Sequence, residues 1–410
     1  MAVFSKPIQL IVGYSAALIT AKLLVLSTNV VLALSLTDLD FGYISLSLSL
    51  FIAAVGVFGF NAQAAFTRYT HEYGAGTVLN ALVPGYLVMI GLATAAGLLT
   101  LVILGLDSSF SWFALLPISG LAASHLASAS ATARATNNLK AYASGEITRP
   151  AILLFLILVY FQFTSSFSVG PFFIFSLLIS SVLGAALSWR LQKSAAESQI
   201  RPISSKKVIT YVAPLFVMQM VALANGISDR FFLAAWFSLE EVGVYSKAYL
   251  TGSVLGMAFD SLSLLWAPYV VKQRSYYFVE LHSWVQKIYV SSWIVAAFLV
   301  VLACVAPRIL SYESFFFNTE LVRLSLVIAA AFVMRTGYQV CVPVLNAFDM
   351  TPAVARLSII SAVIGLLANV ILIFFFGGLG AGLATLLAFT VFSAGAYKRV
   401  TLLNPRGKNL

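Results

Sequence analysis

Lys22, Arg230, Lys247 and Arg335 each sit inside a long apolar run of the chain. A basic side chain at the centre of a membrane-spanning helix costs at least about 2.5–3.5 kcal/mol, so it is seldom left facing lipid. It lines a water-filled cavity, pairs with an acid, or holds an anion. Asp229 and Asp260 are the acids at comparable positions. The charge within the apolar runs is therefore net positive, which fits the binding of an anion rather than bond making. No acid pair, Cys/His cluster or phosphate loop accompanies these residues. The chain is accordingly read as a non-enzyme with no catalytic residue, metal site or cofactor.

Ser15, Lys22 and Asn29 recur every seven residues, nearly two helical turns, so they share one face. That stripe reads as a cavity lining whose amine holds a phosphate; the other reading is a structural pair between Lys22 and a carboxylate. Arg335 has Gln339 one turn on. Its guanidinium stays ionised and offers a planar fork suited to phosphate oxygens. A tie to Asp229 or Asp260 would serve packing instead. Arg230 follows Asp229 directly, and adjacent helix residues do not face each other, so the two are expected to engage different partners. Lys247 lies close enough to a membrane interface to snorkel, and is kept as a further substrate contact. Asp260 shares a face with Ser246 and Ser253. With Asp229 it is a candidate for carrying a coupling H+ or Na+, or for an ion pair. His125 lies among Gly120, Ser124, Ser128 and Thr132, a small-residue face that reads as close helix packing rather than a proton relay.

The elements that must position these residues are membrane helices. The chain is 61% hydrophobic and 9% charged, with a mean hydropathy of +0.98. Apolar runs of about 20 residues recur between short polar breaks, the pattern of spanning helices. The runs are continuous rather than alternating, which excludes a β-barrel. About twelve spans are expected. The second runs from Phe41 to Phe66, the fifth from Ala151 to Phe167, the eleventh from Leu357 to Phe376 and the twelfth from Leu379 to Ala396.

The formal charge of +10 does not point to nucleic acid. With the N-terminus placed inside, nearly every basic connection falls on the inner side, whereas Asp38, Asp40, Asp107, Glu240 and Glu241 mark outer breaks. This is the positive-inside pattern, and it puts both termini in the cytoplasm. Trp112, Trp189, Trp236, Trp266 and Trp284 fall at span ends, as in an interfacial aromatic belt. The polar connection from Arg190 to Lys207 divides the chain into an N-terminal lobe (1–190), a basic linker (191–207) and a C-terminal lobe (208–410). Six spans in each lobe would relate the lobes by a pseudo-two-fold axis along the membrane normal, with a binding cavity between them. The fold class is thus an all-α integral membrane protein. Asp40-Phe41-Gly42-Tyr43 and Glu241-Val242-Gly243-Val244-Tyr245 stand at equivalent points of the two lobes.

Those two motifs, with Asp229-Arg230, Trp266-Ala267-Pro268, Phe58-Gly59-Phe60, Thr67-Arg68-Tyr69 and Asn137-Asn138-Leu139-Lys140-Ala141-Tyr142-Ala143, carry a resemblance. The chain resembles the O-antigen flippases (Wzx type) of the multidrug/oligosaccharidyl-lipid/polysaccharide exporter superfamily over nearly its full length. The resemblance implies movement of an undecaprenyl-diphosphate-linked oligosaccharide from the inner to the outer leaflet of a bacterial plasma membrane. Its partners would be that lipid-linked oligosaccharide and membrane lipids, with H+ or Na+ left open as a coupling ion. Two alternatives stay open. An O-antigen polymerase would have similar length and span count, but the longest outer connection, Pro307 to Arg323, is short for chemistry. A multidrug exporter of the same superfamily would more often carry cations.

Overall fold

The structure is a computed structural model that describes residues 5–104, 111–163, 168–193, 202–273, 278–309, 319–348 and 350–403. The middle of the expected linker (194–201) and most of the expected outer connection (310–318) lie outside the described residues. So does the side chain of Asp260, whose backbone is helical.

Among the described residues there is no β-strand. The helices are α1 (Ser5–Ser35), α2 (Asp38–Gly59), α3 (Ala62–Tyr73), α4 (Ala75–Leu104), α5 (Leu116–Ala135), α6 (Leu139–Phe163), α7 (Val169–Lys193), α8 (Ser205–Trp236), α9 (Leu239–Gln273), α10 (Phe278–Ile309), α11 (Thr319–Ala347) and α12 (Thr351–Thr401). Among the described residues, ten helical segments are long and apolar enough to cross a membrane. The protein is therefore an all-α, multi-pass membrane protein. α12 is 51 residues long and breaks at Gly377, where φ is 54° and ψ is −134°. The break falls between the expected eleventh and twelfth spans.

Two spans differ from their expected limits. The second ends at Gly59, not Phe66, because Phe60 and Asn61 take left-handed backbone angles (φ 48° and 51°). The chain then re-enters a separate amphipathic helix, α3. Its apolar side, with Ala62, Ala65, Phe66 and Tyr69, packs on Val78 and Leu82 of α4, Ala131 of α5 and Val208 of α8. Apolar residues that looked like the end of a span are the buried face of this short helix. The fifth span begins at Leu139 rather than Ala151, so Arg149 lies well inside α6.

The chain divides into two compact units, 1–35 with 43–223, and 36–42 with 224–410. In the first unit, the small-residue face of α5 lets helices approach closely. A Cβ on Gly120 would stand 2.6 Å from the Ala54 carbonyl carbon of α2. His125 sits on the same helix, its ring 4.4 Å from that of Tyr86. The α5 hydroxyls of Ser119, Ser128 and Thr132 donate to carbonyls one turn back, which satisfies them without water. In the second unit, Leu233, Tyr245, Leu324, Ile328, Phe332 and Ile373 form a core that joins α8, α9, α11 and α12.

Candidate functional site

The apolar core of the second unit carries a polar cluster at its edge. Asp229 of α8 is buried at 3% exposure. The Arg230 guanidinium turns back along its own helix and donates from Nη1 to Asp229 Oδ1 at 3.2 Å. This corrects the expectation that the two side chains would find separate partners. An arginine stem spans enough distance to curl toward its neighbour, and a carboxylate in an apolar setting strongly favours a nearby cation. The Tyr245 hydroxyl donates to Asp229 Oδ2 at 2.5 Å. Arg230 Cζ then lies 4.6 Å from the Tyr249 ring centre, a cation–π contact.

α11 brings the second guanidinium. Arg335 Cζ lies 5.6 Å from the ring of Phe332. Phe332 meets Tyr249 edge to face, with centroids 5.4 Å apart. Arg230 and Arg335 thus flank one aromatic pair, each resting on one of its rings. Tyr249 lies within electrostatic range of both. Among the described residues the cluster brings together two guanidinium groups and one carboxylate, and it supplies phenol and guanidinium donors. Gln339, one turn after Arg335, is half-buried.

The other candidates have surroundings of their own. Lys247 bonds Asp38 Oδ1 at 2.7 Å and the Leu36 carbonyl at 3.1 Å. Its amine is held at the start of α2. In the first unit, Ser15, Lys22 and Asn29 are all half-buried, whereas the neighbouring Leu23 is 56% exposed. The sevenfold spacing does keep them on one side of α1, the helix that packs along α6. Among the described residues, no group of three or more His, Cys, Asp or Glu could hold a metal ion.

The sequence reading missed Arg149. It is half-buried in α6, with its guanidinium 5.4 Å from the Phe51 ring of α2. The signal that could have found it is Glu146 three residues earlier, a helical acid–base spacing that extends α6 toward Leu139. Trp266 also departs from a simple interfacial role, because its indole N–H donates to the Val340 carbonyl of α11 at 3.0 Å.

Comparison with known proteins places the fold. No protein-family model matches the chain, and no curated protein sequence does. Solved structures match it over nearly the whole length. The lipid II flippase MurJ, in an inward closed conformation, superposes with a TM-score of 0.69 at 16% identity, covering 96% of this chain and 88% of that one. An outward-facing multidrug-resistance MATE transporter of the MOP superfamily gives 0.65 at 12% identity, covering 96% and 94%. A variant of the Vibrio cholerae MATE transporter VcmN gives 0.59 at 14% identity, covering 98% of both chains.

Proposed function

We propose that the chain is a flippase that moves an undecaprenyl-diphosphate-linked oligosaccharide, of the O-antigen repeat-unit class, from the inner to the outer leaflet. The membrane would be a bacterial plasma membrane, with both termini cytoplasmic. The observation that carries the reading is the placement of Arg230 and Arg335 on one aromatic pair inside a membrane fold, with Asp229 paired to Arg230. Two guanidinium groups match a diphosphate in charge and in hydrogen-bond geometry. Lys22 would supply a third cation, and Asn29, Gln339 and Lys247 would meet the sugars or the phosphates. The lobes 1–190 and 208–410, joined by 191–207, would alternate access by rocking.

Energetics do not demand an ion. An inside-negative potential of 100 mV is worth about 2.3 kcal/mol per charge moved, and a diphosphate of charge about −2 gains roughly twice that on moving outward. Asp229 and Asp260 are the residues that would carry H+ or Na+ if coupling occurs. Loss of pH-gradient dependence in a folded Asp260→Asn variant would assign that role.

The test is transport of a fluorescent undecaprenyl-diphosphate saccharide in proteoliposomes. Lys22→Ala and Arg335→Ala should each abolish it with protein levels unchanged, and Arg335→Lys should restore it only in part. Normal transport by the double alanine variant would end the proposal. The fold likeness to MATE transporters supports a second reading, multidrug export. Under it, a lipophilic cation rather than the lipid diphosphate would be moved, and neutralising Arg335 would raise transport.

A further inference from the structure

The first unit contains a pocket of about 570 Å³ lined by Asn61, Gln63, Ala64, Thr67, Arg68, Arg134 and Tyr211. None of its lining residues is among the candidate residues described above. Three elements build it. The left-handed Phe60–Asn61 pair turns the chain out of α2 and points the first turn of α3 into the pocket. Gln63, Ala64, Thr67 and Arg68 then recur at helical spacing along the wall opposite the buried side of α3. α5 ends at the pocket with Arg134 in its last turn. α8 begins nearby and contributes Tyr211.

The lining is rich in donors and carries no carboxylate. Arg68 Cζ rests 5.9 Å from the Tyr211 ring centre, and Tyr211 packs edge to face on Tyr69. Arg134 Cζ rests 5.7 Å from the Tyr142 ring. Each guanidinium is thus propped on an aromatic face, which orients its fork without neutralising its charge. Asn61 makes no side-chain cap to α3, so its amide and the first free N–H groups of that helix remain as further donors. The pocket stands where one span ends, another ends and a third begins, which is the depth of lipid headgroups.

We infer that this pocket binds the phosphate group of an anionic membrane lipid, in preference to a zwitterionic one, with Arg68 and Arg134 as the two forks. The volume fits a headgroup rather than a bare ion. The phosphate could belong to a bulk anionic phospholipid or to a polyprenyl diphosphate, since both present the same oxygens at the same depth. The inference stands whether or not the chain flips an oligosaccharide.

The experiment is native mass spectrometry of the full chain in detergent, titrated separately with phosphatidylglycerol, undecaprenyl diphosphate, phosphatidylcholine and inorganic diphosphate. Arg68 and Arg134 are exposed residues outside the buried cluster of this unit, so their replacement spares its core. Arg68→Ala with Arg134→Ala should weaken retention of an anionic lipid by about tenfold or more, the range for losing charged hydrogen bonds. Arg356→Ala, which removes an exposed charge elsewhere, should leave retention unchanged. Tyr211→Leu should produce an intermediate loss by freeing the Arg68 fork. Retention of phosphatidylglycerol that depends on the pair identifies a bulk-lipid site; dependence confined to undecaprenyl diphosphate identifies a polyprenyl site. Equal losses in Arg356→Ala and in the pair, unchanged retention in the pair, equal retention of phosphatidylcholine, or binding of inorganic diphosphate alone would each overturn the inference.

Discussion

Gly42 and Gly243 are set against each other's helices in a reciprocal contact. A Cβ on Gly42 would stand 1.7 Å from the Leu239 carbonyl oxygen, and one on Gly243 would stand 1.8 Å from the Asp38 carbonyl oxygen. Asp38 and Leu239 are the first residues of α2 and α9, and each glycine lies one turn into its own helix. The two helix starts therefore cross at backbone distance, which only a residue without a side chain allows. Gly42→Ala and Gly243→Ala should each destabilise the protein by about 1–3 kcal/mol, the usual cost of overpacking. Thermal unfolding in detergent reads this as a lower Tm; an unchanged Tm in both would show that the crossing is not a packing constraint.

The Asp38–Lys247 pair closes the same crossing. Its side chains are 39% and 19% exposed, so water screens it. A double-mutant cycle with Asp38→Ala and Lys247→Ala should give a coupling of only about 0.2–1 kcal/mol. The reversed pair, Asp38→Lys with Lys247→Asp, should recover most of it. A coupling of zero would assign Lys247 to the Leu36 carbonyl alone.

Asp229→Asn removes the acid that neutralises Arg230 in an apolar core. Breaking one side of a buried pair costs about 3–5 kcal/mol, so membrane abundance and Tm should both fall. Neutralising the partner as well, with Asp229→Asn and Arg230→Gln together, should restore abundance but not substrate binding. Tyr245→Phe should act in the same direction as Asp229→Asn and more weakly, because it removes one hydrogen bond rather than a charge. Full abundance of Asp229→Asn would contradict the pairing.

Gly377 allows α12 to double back. Its positive φ is strained for any residue with a side chain, and Gly377→Ala should cost about 1–2 kcal/mol. Glu241 accepts the Gly378 N–H at 2.9 Å, so Glu241→Ala should lower stability at the same hairpin while Glu241→Gln largely preserves it. Hydrogen exchange of the amides around position 378 would register both effects.

Hydropathy is a local property, so the all-helical membrane class, the break at Gly377 and the side of α1 shared by Ser15, Lys22 and Asn29 were legible in the residues alone. The two-glycine motif was visible too, but as a similarity between two places. Only the tertiary structure made it a contact, since nothing in either segment states which backbone lies opposite. The same holds for Asp38 with Lys247, and for Arg230 and Arg335 on the Tyr249–Phe332 pair. Asp229 and Arg230 were adjacent in the sequence and still misread, because helical geometry places the Cβ atoms while a long, flexible arginine reaches past them toward the nearest charge. α3 was hidden for the opposite reason. Its apolar residues match those of a span in composition, and the left-handed turn at Phe60 and Asn61 that separates it has no glycine at either positive-φ position. Which faces of separate helices meet depends on packing summed over the whole fold, and that sum is not written in any one stretch of the chain.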